Sequence, residues 1–329
     1  MLIINEHEIK NCYVMKDAIQ DVRHILASMT AAKVENPHRT VIEFPLNSAS
    51  VLYMPSADKV QEIASVKIVS IFPENPSQGK PTTQGTMLLT DTSDGSHLAL
   101  MNASYLTRLR TGALSAIATD LLSKKNSKVL TVIGTGAMAF EQVLGILEVR
   151  AIQKIYLVNP TLKKAEAFKE RLRSMNVEQE ISIQPLEQKS TAIQLADIIC
   201  CSTRSVTPVF DGDDIQPGTH VNGVGSYLPH MREVDFNFIE RCSKIVVDDF
   251  AGIREEAGEL IHANEQNSWS FDSIHGELKD VASGKISSRK NDDEITFFKC
   301  VGAAYFDLAV GNGVYKKAVR DKFGTTIDL

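Results

Sequence analysis

The sequence of 329 residues has few of the features that mark membrane, secreted or nucleic-acid-binding proteins. It contains no uncharged apolar run of about 18 residues, so we expect no membrane-spanning helix. The N-terminal stretch MLIINEHEIKN carries acids early and does not match a signal peptide. Five cysteines are scattered without a CxxC pair, which favours a reducing cytoplasm. A formal net charge of −6 gives no electrostatic support for a nucleic-acid partner.

Signatures of metal-dependent and serine hydrolases are missing as well. The eight histidines show no HExxH or other metal-ligand spacing, so no metal site is predicted. No GxSxG segment occurs, which argues against a hydrolase nucleophile elbow. The composition is otherwise ordinary, with 43% hydrophobic and 23% charged residues, and the length suggests two domains.

The most informative stretch present is KVLTVIGTGAMAFEQVLG, which starts at Lys128. It predicts a buried strand over Val129–Ile133, a glycine turn with the pattern GxGxxA, and a helix from Ala137. Gly134 allows the tight turn, and the missing side chain of Gly136 lets a pyrophosphate approach the backbone. The free N–H groups of the helix N-terminus favour phosphate at this point. The alternative is a structural turn of the same shape that binds no cofactor.

Strands and helices alternate after this turn, as they do in βαβ units. Six strands are predicted, at residues 129–133, 154–158, 181–184, 198–201, 220–224 and 245–247, with a basic helix over 162–174. The fold class is therefore α/β, with a doubly wound Rossmann domain over 120–301. Residues 1–119 resemble an α+β domain, and a C-terminal helix over 302–319 is expected to return to it. That substrate-binding and dimerisation domain, 1–119 plus 302–329, is thus discontinuous.

The end of the second Rossmann strand predicts which nicotinamide cofactor is preferred. An acidic residue there would hold the ribose 2′-OH, but the sequence has Asn159, which cannot repel a 2′-phosphate. Thr161 can donate a hydrogen bond to such a phosphate, and Lys163 or Lys164 can pair with it. We therefore expect NADP(H) to be preferred and NAD(H) to be possible. The alternative is that both lysines only solvate a helix face.

Three basic residues of the first domain are candidates for substrate chemistry. Lys67 lies in an apolar strand and shares a face with Val69 and Ile71. It is either an edge-strand lysine that points to solvent or an ammonium in a cleft whose lowered pKa suits proton transfer. Arg39 and Arg110 could clamp a substrate carboxylate with their bidentate guanidinium groups, although each could equally be a surface residue.

Several motifs, in order along nearly the whole chain, resemble the ornithine cyclodeaminase/μ-crystallin superfamily. Besides the glycine turn they are YMP at 53–55, VKIV at 66–69 with FPEN at 72–75, LTRLRTGA at 106–113, ADII at 196–199, VNGVG at 221–225, Pro229 with Arg232-Glu233, VDD at 247–249, and EITFFK at 294–299 leading into Gly302.

The resemblance implies a homodimer in which a Rossmann domain is inserted in a dimerising α+β domain. It implies that Arg39, Lys67 and Arg110 bind the substrate carboxylate and that Lys67 transfers the proton. Together with the glycine turn it gives these candidate cofactor contacts: Thr111, Gly134, Thr135, Gly136, Ala137, Met138, Asn159, Thr161, Lys163, Ser202, Thr203, Val224, Gly225, Lys299 and Gly302.

Two positions depart from subfamilies of this superfamily. Tyr227 stands where cyclodeaminases and alanine dehydrogenases carry an Asp, and Met231 stands where cyclodeaminases have a lysine. The sequence therefore favours an NAD(P)H-dependent reductase of a C=N bond beside a carboxylate, such as Δ1-pyrroline-2-carboxylate giving L-proline. The alternatives are ornithine cyclodeaminase, alanine dehydrogenase, or a non-catalytic NADP-dependent binding protein of μ-crystallin type. Another carboxylate, Asp307 or Glu233, could also replace the missing Asp.

Overall fold

A computed structural model describes residues 1–266 and 269–328 of the chain. The chain divides into two compact units, one formed by Met1–Arg110 with the C-terminal segment from Ala303, the other by Thr111–Gly302. The sequence predicts domain limits at 119/120 and 301/302. These limits remain predictions and are distinct from the limits of the two compact units. None of the described helices is both long enough and apolar enough to cross a membrane.

Residues 1–122 form seven strands and three α-helices. The strands are β1 (Leu2–Ile4), β2 (Val34–Glu35), β3 (Thr40–Phe44), β4 (Ala49–Asp58), β5 (Ile63–Ile71), β6 (Thr83–Asp91) and β7 (His97–Asn102). The helices are α1 (Glu6–Cys12), α2 (Met15–Thr30) and α3 (Ala103–Leu122). Helix α1 was not predicted, although its capping box was present in the sequence: Asn5 accepts from the Glu8 N–H, and Glu8 accepts from the Asn5 N–H.

Residues 129–299 alternate between strands and helices. The strands are β8 (Val129–Ile133), β9 (Lys154–Val158), β10 (Glu180–Gln184), β11 (Ile198–Cys201), β12 (His220–Gly223), β13 (Lys244–Val247), β14 (Gly276–Glu277) and β15 (Thr296–Lys299). The helices are α4 (Ala137–Val149), α5 (Leu162–Ser174), α6 (Lys189–Gln194), α7 (Phe236–Arg241), α8 (Phe250–Glu256), α9 (Gly258–Glu265) and α10 (Leu278–Ala282). The chain ends with α11 (Ala304–Asp321) and β16 (Thr325–Thr326).

The sheet of the first unit is mainly antiparallel, in the order β16-β1-β7-β6-β5-β4-β2, with β3 also paired to β4. Its register places Lys67 beside Met54 on β4 and Met87 on β6, and Met87 beside Met101 on β7. These four side chains therefore lie on one face of the sheet, and all are buried. Helix α11 covers this face and comes so close at Gly311 that a Cβ there would lie 2.5 Å from Met87 Cε.

The second unit contains a fully parallel sheet in the order β10-β9-β8-β11-β12-β15-β13-β14. Its first five strands follow the doubly wound Rossmann order, which confirms the predicted fold class. The sequence did not predict two strands of this sheet, β14 and β15. Strand β15 is short and follows the polar run Lys290–Glu294, so its four residues did not stand out, although β12 and β13 flank it.

The core of the second unit lies on both faces of this sheet. Along β9, Ile155 and Leu157 join one buried apolar cluster, while Tyr156 and Val158 join the other. Such alternation on two buried faces explains the continuous apolar strands of the sequence.

Candidate active site

The first unit holds a buried cluster of charged side chains around Asp307. Lys67 Nζ lies 2.6 Å from Asp307 Oδ2, and Arg110 Nε donates to Asp307 Oδ1 at 3.3 Å. The Thr107 hydroxyl lies 3.4 Å from both Lys67 Nζ and Asp307 Oδ1. Lys67 is 2% exposed and Asp307 1% exposed, so the ion pair is shielded from solvent. One carboxylate thus connects a lysine and an arginine in an apolar surrounding.

Three elements bring this cluster together. Lys67 lies on the inner strand β5, on the face that α11 covers. Thr107 and Arg110 are three residues apart on α3 and therefore share a helix face. Asp307 lies in the first turn of α11, where a carboxylate is favoured by the helix dipole.

Burial lowers the pKa of Lys67 to about 8, because the ammonium is removed from water. Asp307 opposes this shift and raises the pKa of Lys67, while the positive charges of Arg110 and Arg39 lower it. Burial alone would raise the pKa of the Asp307 carboxyl, but Lys67 and Arg110 outweigh burial and hold that pKa below its usual value. The cluster therefore keeps a lysine that can gain and release a proton near neutral pH.

The structure thus brings together Lys67 and Arg110, two of the three predicted substrate residues. The half-buried Arg39 acts on Lys67 through its charge. The alternative of a solvent-facing edge lysine is wrong, since Lys67 lies on an inner strand. Sequence reasoning named Asp307 only as a possible replacement for a missing Asp. Its signal was a single acid among the apolar residues that begin α11.

The glycine turn joins β8 to α4. Gly134 has a φ of +88°, and a Cβ there would lie 2.8 Å from Thr203 Cγ2. Both the backbone conformation and this contact therefore exclude a side chain. A Cβ at Gly136 would meet nothing within 4 Å. Gly136 is also the N-cap of α4 and provides no side-chain cap, which leaves the first N–H groups of this 13-residue helix to another acceptor.

The Thr135 hydroxyl is buried and has no hydrogen-bond partner within the described part of the chain. The open space at Gly136, this hydroxyl and the uncapped helix start are what a dinucleotide pyrophosphate needs, so the residues present fit such a cofactor. Ala137 and Met138 lie in the same first turn of α4.

Asn159 follows β9 and holds the glycine turn in place. Its Oδ1 accepts from the Thr135 N–H at 3.2 Å, and its Nδ2 donates to the Thr161 carbonyl at 2.9 Å. Thr161 is the N-cap of α5, and Lys163 is exposed in the first turn of that helix. An uncharged amide and an exposed lysine thus lie where an acidic residue would select NAD(H).

The other predicted cofactor contacts of the second unit follow parallel strands. Ser202 and Thr203 come after β11, Val224 and Gly225 after β12, and Gly302 after β15. The carboxyl ends of parallel strands are where doubly wound sheets bind ligands.

Thr111 is buried on α3. Gly302 has a φ of +90° and donates to Asp248 Oδ2 at 2.7 Å. Lys299 is fully buried and contacts Ser226 and Glu259.

Tyr227 and Met231 lie in the segment after β12. Tyr227 is half-buried, and Met231 is 7% exposed. Glu233 is fully buried, and its carboxylate accepts from the Thr203, Gly225 and Ser226 N–H groups. These bonds occupy the carboxylate, so Glu233 is not a free base.

Among residues 1–266 and 269–328, no group of three His, Cys, Asp or Glu side chains could hold a metal ion.

Comparison with known proteins gives a consistent picture. Residues 1–322 match the model of the ornithine cyclodeaminase/mu-crystallin family. The chain is 36% identical to a Delta(1)-pyrroline-2-carboxylate reductase of Bacillus cereus, over 100% of both chains. It is 30% identical to an alanine dehydrogenase of Archaeoglobus fulgidus, over 99% of this chain and 98% of the relative.

A solved structure is similar over the same length. The Thermococcus litoralis Delta(1)-pyrroline-2-carboxylate reductase, in complex with NADH and L-proline, matches with a TM-score of 0.95 and 34% identity. The match covers 99% of this chain and 100% of the other.

Proposed function

The chain belongs to the ornithine cyclodeaminase/mu-crystallin family, and we propose that it is an NAD(P)H-dependent reductase of a C=N bond beside a carboxylate. The substrate we favour is Δ1-pyrroline-2-carboxylate, which would give L-proline. The observation that carries the proposal is the buried Lys67–Asp307–Arg110 cluster, which offers a proton and a carboxylate-binding guanidinium. Relatives that reduce this imine, or bind NADH and L-proline, support it.

The reaction adds a hydride to the imine carbon and a proton to the imine nitrogen. When bound, the reduced nicotinamide supplies the hydride. Lys67 supplies the proton, directly or through one water, and its amine then takes up a proton from solvent. Arg110 and Arg39 hold the substrate carboxylate, which fixes the imine relative to Lys67. Asp307 keeps the buried lysine charged and ready to donate.

Turnover tests this function. The purified chain should oxidise NADPH or NADH when Δ1-pyrroline-2-carboxylate is added and should form L-proline in equal amount. Saturable ligand binding without any consumption of reduced nicotinamide, with every cyclic imine tried, would instead favour a binding protein.

The pH dependence of turnover should follow Lys67. Its ammonium is the proton donor, and its pKa of about 8 means that the donor form is lost as pH rises through that value. We expect kcat/KM for the imine to be high below pH 8 and to fall above it. Steady-state rates across this range, at saturating cofactor, measure the effect. Residual activity of Lys67→Met should lack this fall, and a wild-type profile that stays flat would contradict the assignment.

For the cofactor, we propose a preference for NADPH, supported by Asn159, Thr161 and Lys163. The NADPH Kd should be lower than the NADH Kd, and Asn159→Asp should shift the ratio toward NADH by about tenfold, since its charge repels a 2′-phosphate. Fluorescence titration of each dinucleotide gives the ratio. Asn176→Asp, an exposed change in the same unit, is the control. Equal or tighter NADH binding by the wild type would remove the NADP preference and leave dinucleotide binding intact.

We further propose a homodimer, in the cytoplasm, formed through the sheet of the first unit. Tyr53 and Ile68 are paired across β4 and β5 and point away from the face that carries Lys67. On this same face β3 carries the exposed apolar side chains of Ile42 and Phe44. Sedimentation at micromolar concentration should give a dimer. Ile68→Lys should weaken this dimer, and a wild-type monomer of 36.2 kDa would reject the interface.

A further inference from the structure

Three fully buried charged residues of the second unit surround Gly225 and Ser226, in the segment after β12. They are Glu233, Glu259 and Lys299, called here the Glu233 cluster. None of them takes part in the substrate chemistry proposed above. Burying a charged group costs free energy of folding unless the group is paired. The position of these three charges therefore needs a structural or functional explanation.

Glu233 connects two strand ends. Its Oε1 accepts from the Thr203 N–H at 2.5 Å, and its Oε2 accepts from the Gly225 N–H at 2.8 Å and the Ser226 N–H at 3.3 Å. Thr203 follows β11, and Gly225 follows β12. The two segments touch, because a Cβ on Gly225 would lie 2.2 Å from both the Thr203 nitrogen and its carbonyl oxygen. A single carboxylate therefore holds both segments.

Lys299 and Glu259 hold Ser226 through its other polar atoms. Lys299 Nζ donates to the Ser226 carbonyl at 2.6 Å and to its Oγ at 2.5 Å, and lies 3.0 Å from Glu259 Oε1. The Ser226 hydroxyl lies 2.7 Å from Glu259 Oε2. These contacts use the three N–H donors of the Lys299 ammonium, so none remains for a cofactor.

We infer that Glu233 is a positioning residue for dinucleotide binding, which joins the Ser202–Thr203 and Val224–Ser226 segments into one rigid binding edge. In this arrangement Lys299 acts with Glu259 through Ser226 and does not contact the dinucleotide. The inference rests on the proposed function, because it takes Ser202, Thr203, Val224 and Gly225 as the cofactor contacts that the family resemblance implies.

An amide cannot replace this carboxylate. Both oxygens of Glu233 accept from backbone N–H groups, whereas a glutamine presents an NH₂ group to at least one of them. One segment would then have buried N–H donors facing a donor and would move away. An aspartate keeps the charge and both acceptors but is one methylene shorter, so it should restore part of the contact.

The test compares Glu233→Gln, Glu233→Asp and, as a matched control, the exposed change Glu178→Gln. Glu233→Gln should raise the NADH Kd about tenfold or more, which corresponds to one lost charge-assisted contact, and should leave the imine KM within about twofold. Glu233→Asp should recover part of the affinity, and Glu178→Gln should match the wild type. A folded Glu233→Gln with wild-type NADH affinity, or equal losses for both ligands, would overturn the inference.

Amide hydrogen exchange on the unmodified chain gives a second readout, which does not depend on whether a variant folds. The Thr203, Gly225 and Ser226 N–H groups should be protected before any dinucleotide is added, because Glu233 already holds them. Rapid exchange at these amides would overturn the inference. Failure of the proposed function looks different: the wild type would bind neither NADH nor NADPH while these amides stayed protected.

Discussion

Replacing Lys67 with methionine is expected to lower kcat for imine reduction by about 10²-fold or more while NADPH binding stays unchanged. Methionine fills a similar volume and suits the apolar face formed by Met54, Met87 and Met101, but it has no proton to give. The cofactor residues lie in the other unit, so dinucleotide affinity should be preserved.

Two measurements are needed for this variant. Stopped-flow or steady-state oxidation of NADPH with the imine gives kcat, and fluorescence titration gives the dinucleotide Kd. The exposed change Lys80→Met in the same unit is the control and should keep wild-type values. Asp307 keeps Arg110 as a partner in Lys67→Met, so the fold should survive. Near-wild-type turnover by a folded Lys67→Met would show that the proton comes from elsewhere.

The second large effect concerns L-ornithine, from which we expect neither proline nor ammonia to form. By resemblance, a cyclodeaminase needs a base near the imine carbon, and here Tyr227 and Met231 replace its Asp and Lys. A phenol is a poor base at neutral pH, and methionine takes up no proton. The carboxylates that could substitute are engaged: Glu233 accepts three backbone N–H groups, and Asp307 is paired with Lys67 and Arg110.

An ammonia assay on L-ornithine with oxidised cofactor, run beside reduction of Δ1-pyrroline-2-carboxylate, tests both parts of this expectation. The same preparation should consume reduced nicotinamide with the imine and release no ammonia from ornithine. Ammonia release at ordinary enzymatic rates, with no imine reduction, would reverse the ranking and favour a cyclodeaminase. L-Alanine in the same assay separates the alanine dehydrogenase alternative.

The sequence by itself determined the second unit to a large extent. The predicted bounds of β8, β9 and α5 agree with the structure to the residue, because apolar periodicity and the glycine turn are encoded locally. The sequence also identified Lys67 as an unusual cation in an apolar strand, but it left open whether the side chain faces solvent or a cleft. Helix α1 and strand β15 were not predicted, because seven and four residues carry little periodicity, although a capping box begins α1.

Only the tertiary structure decided what surrounds the reactive groups. Lys67 and Asp307 are 240 residues apart in the chain, and Arg110 and Asp307 are 197 apart. Glu233 likewise accepts hydrogen bonds from three N–H groups only because the ends of β11 and β12 lie side by side. A sequence pattern reports which residues share a strand or helix face. Burial and charge pairing depend on which elements pack together, and this packing lowers the pKa of Lys67 and leaves Glu233 without a free oxygen.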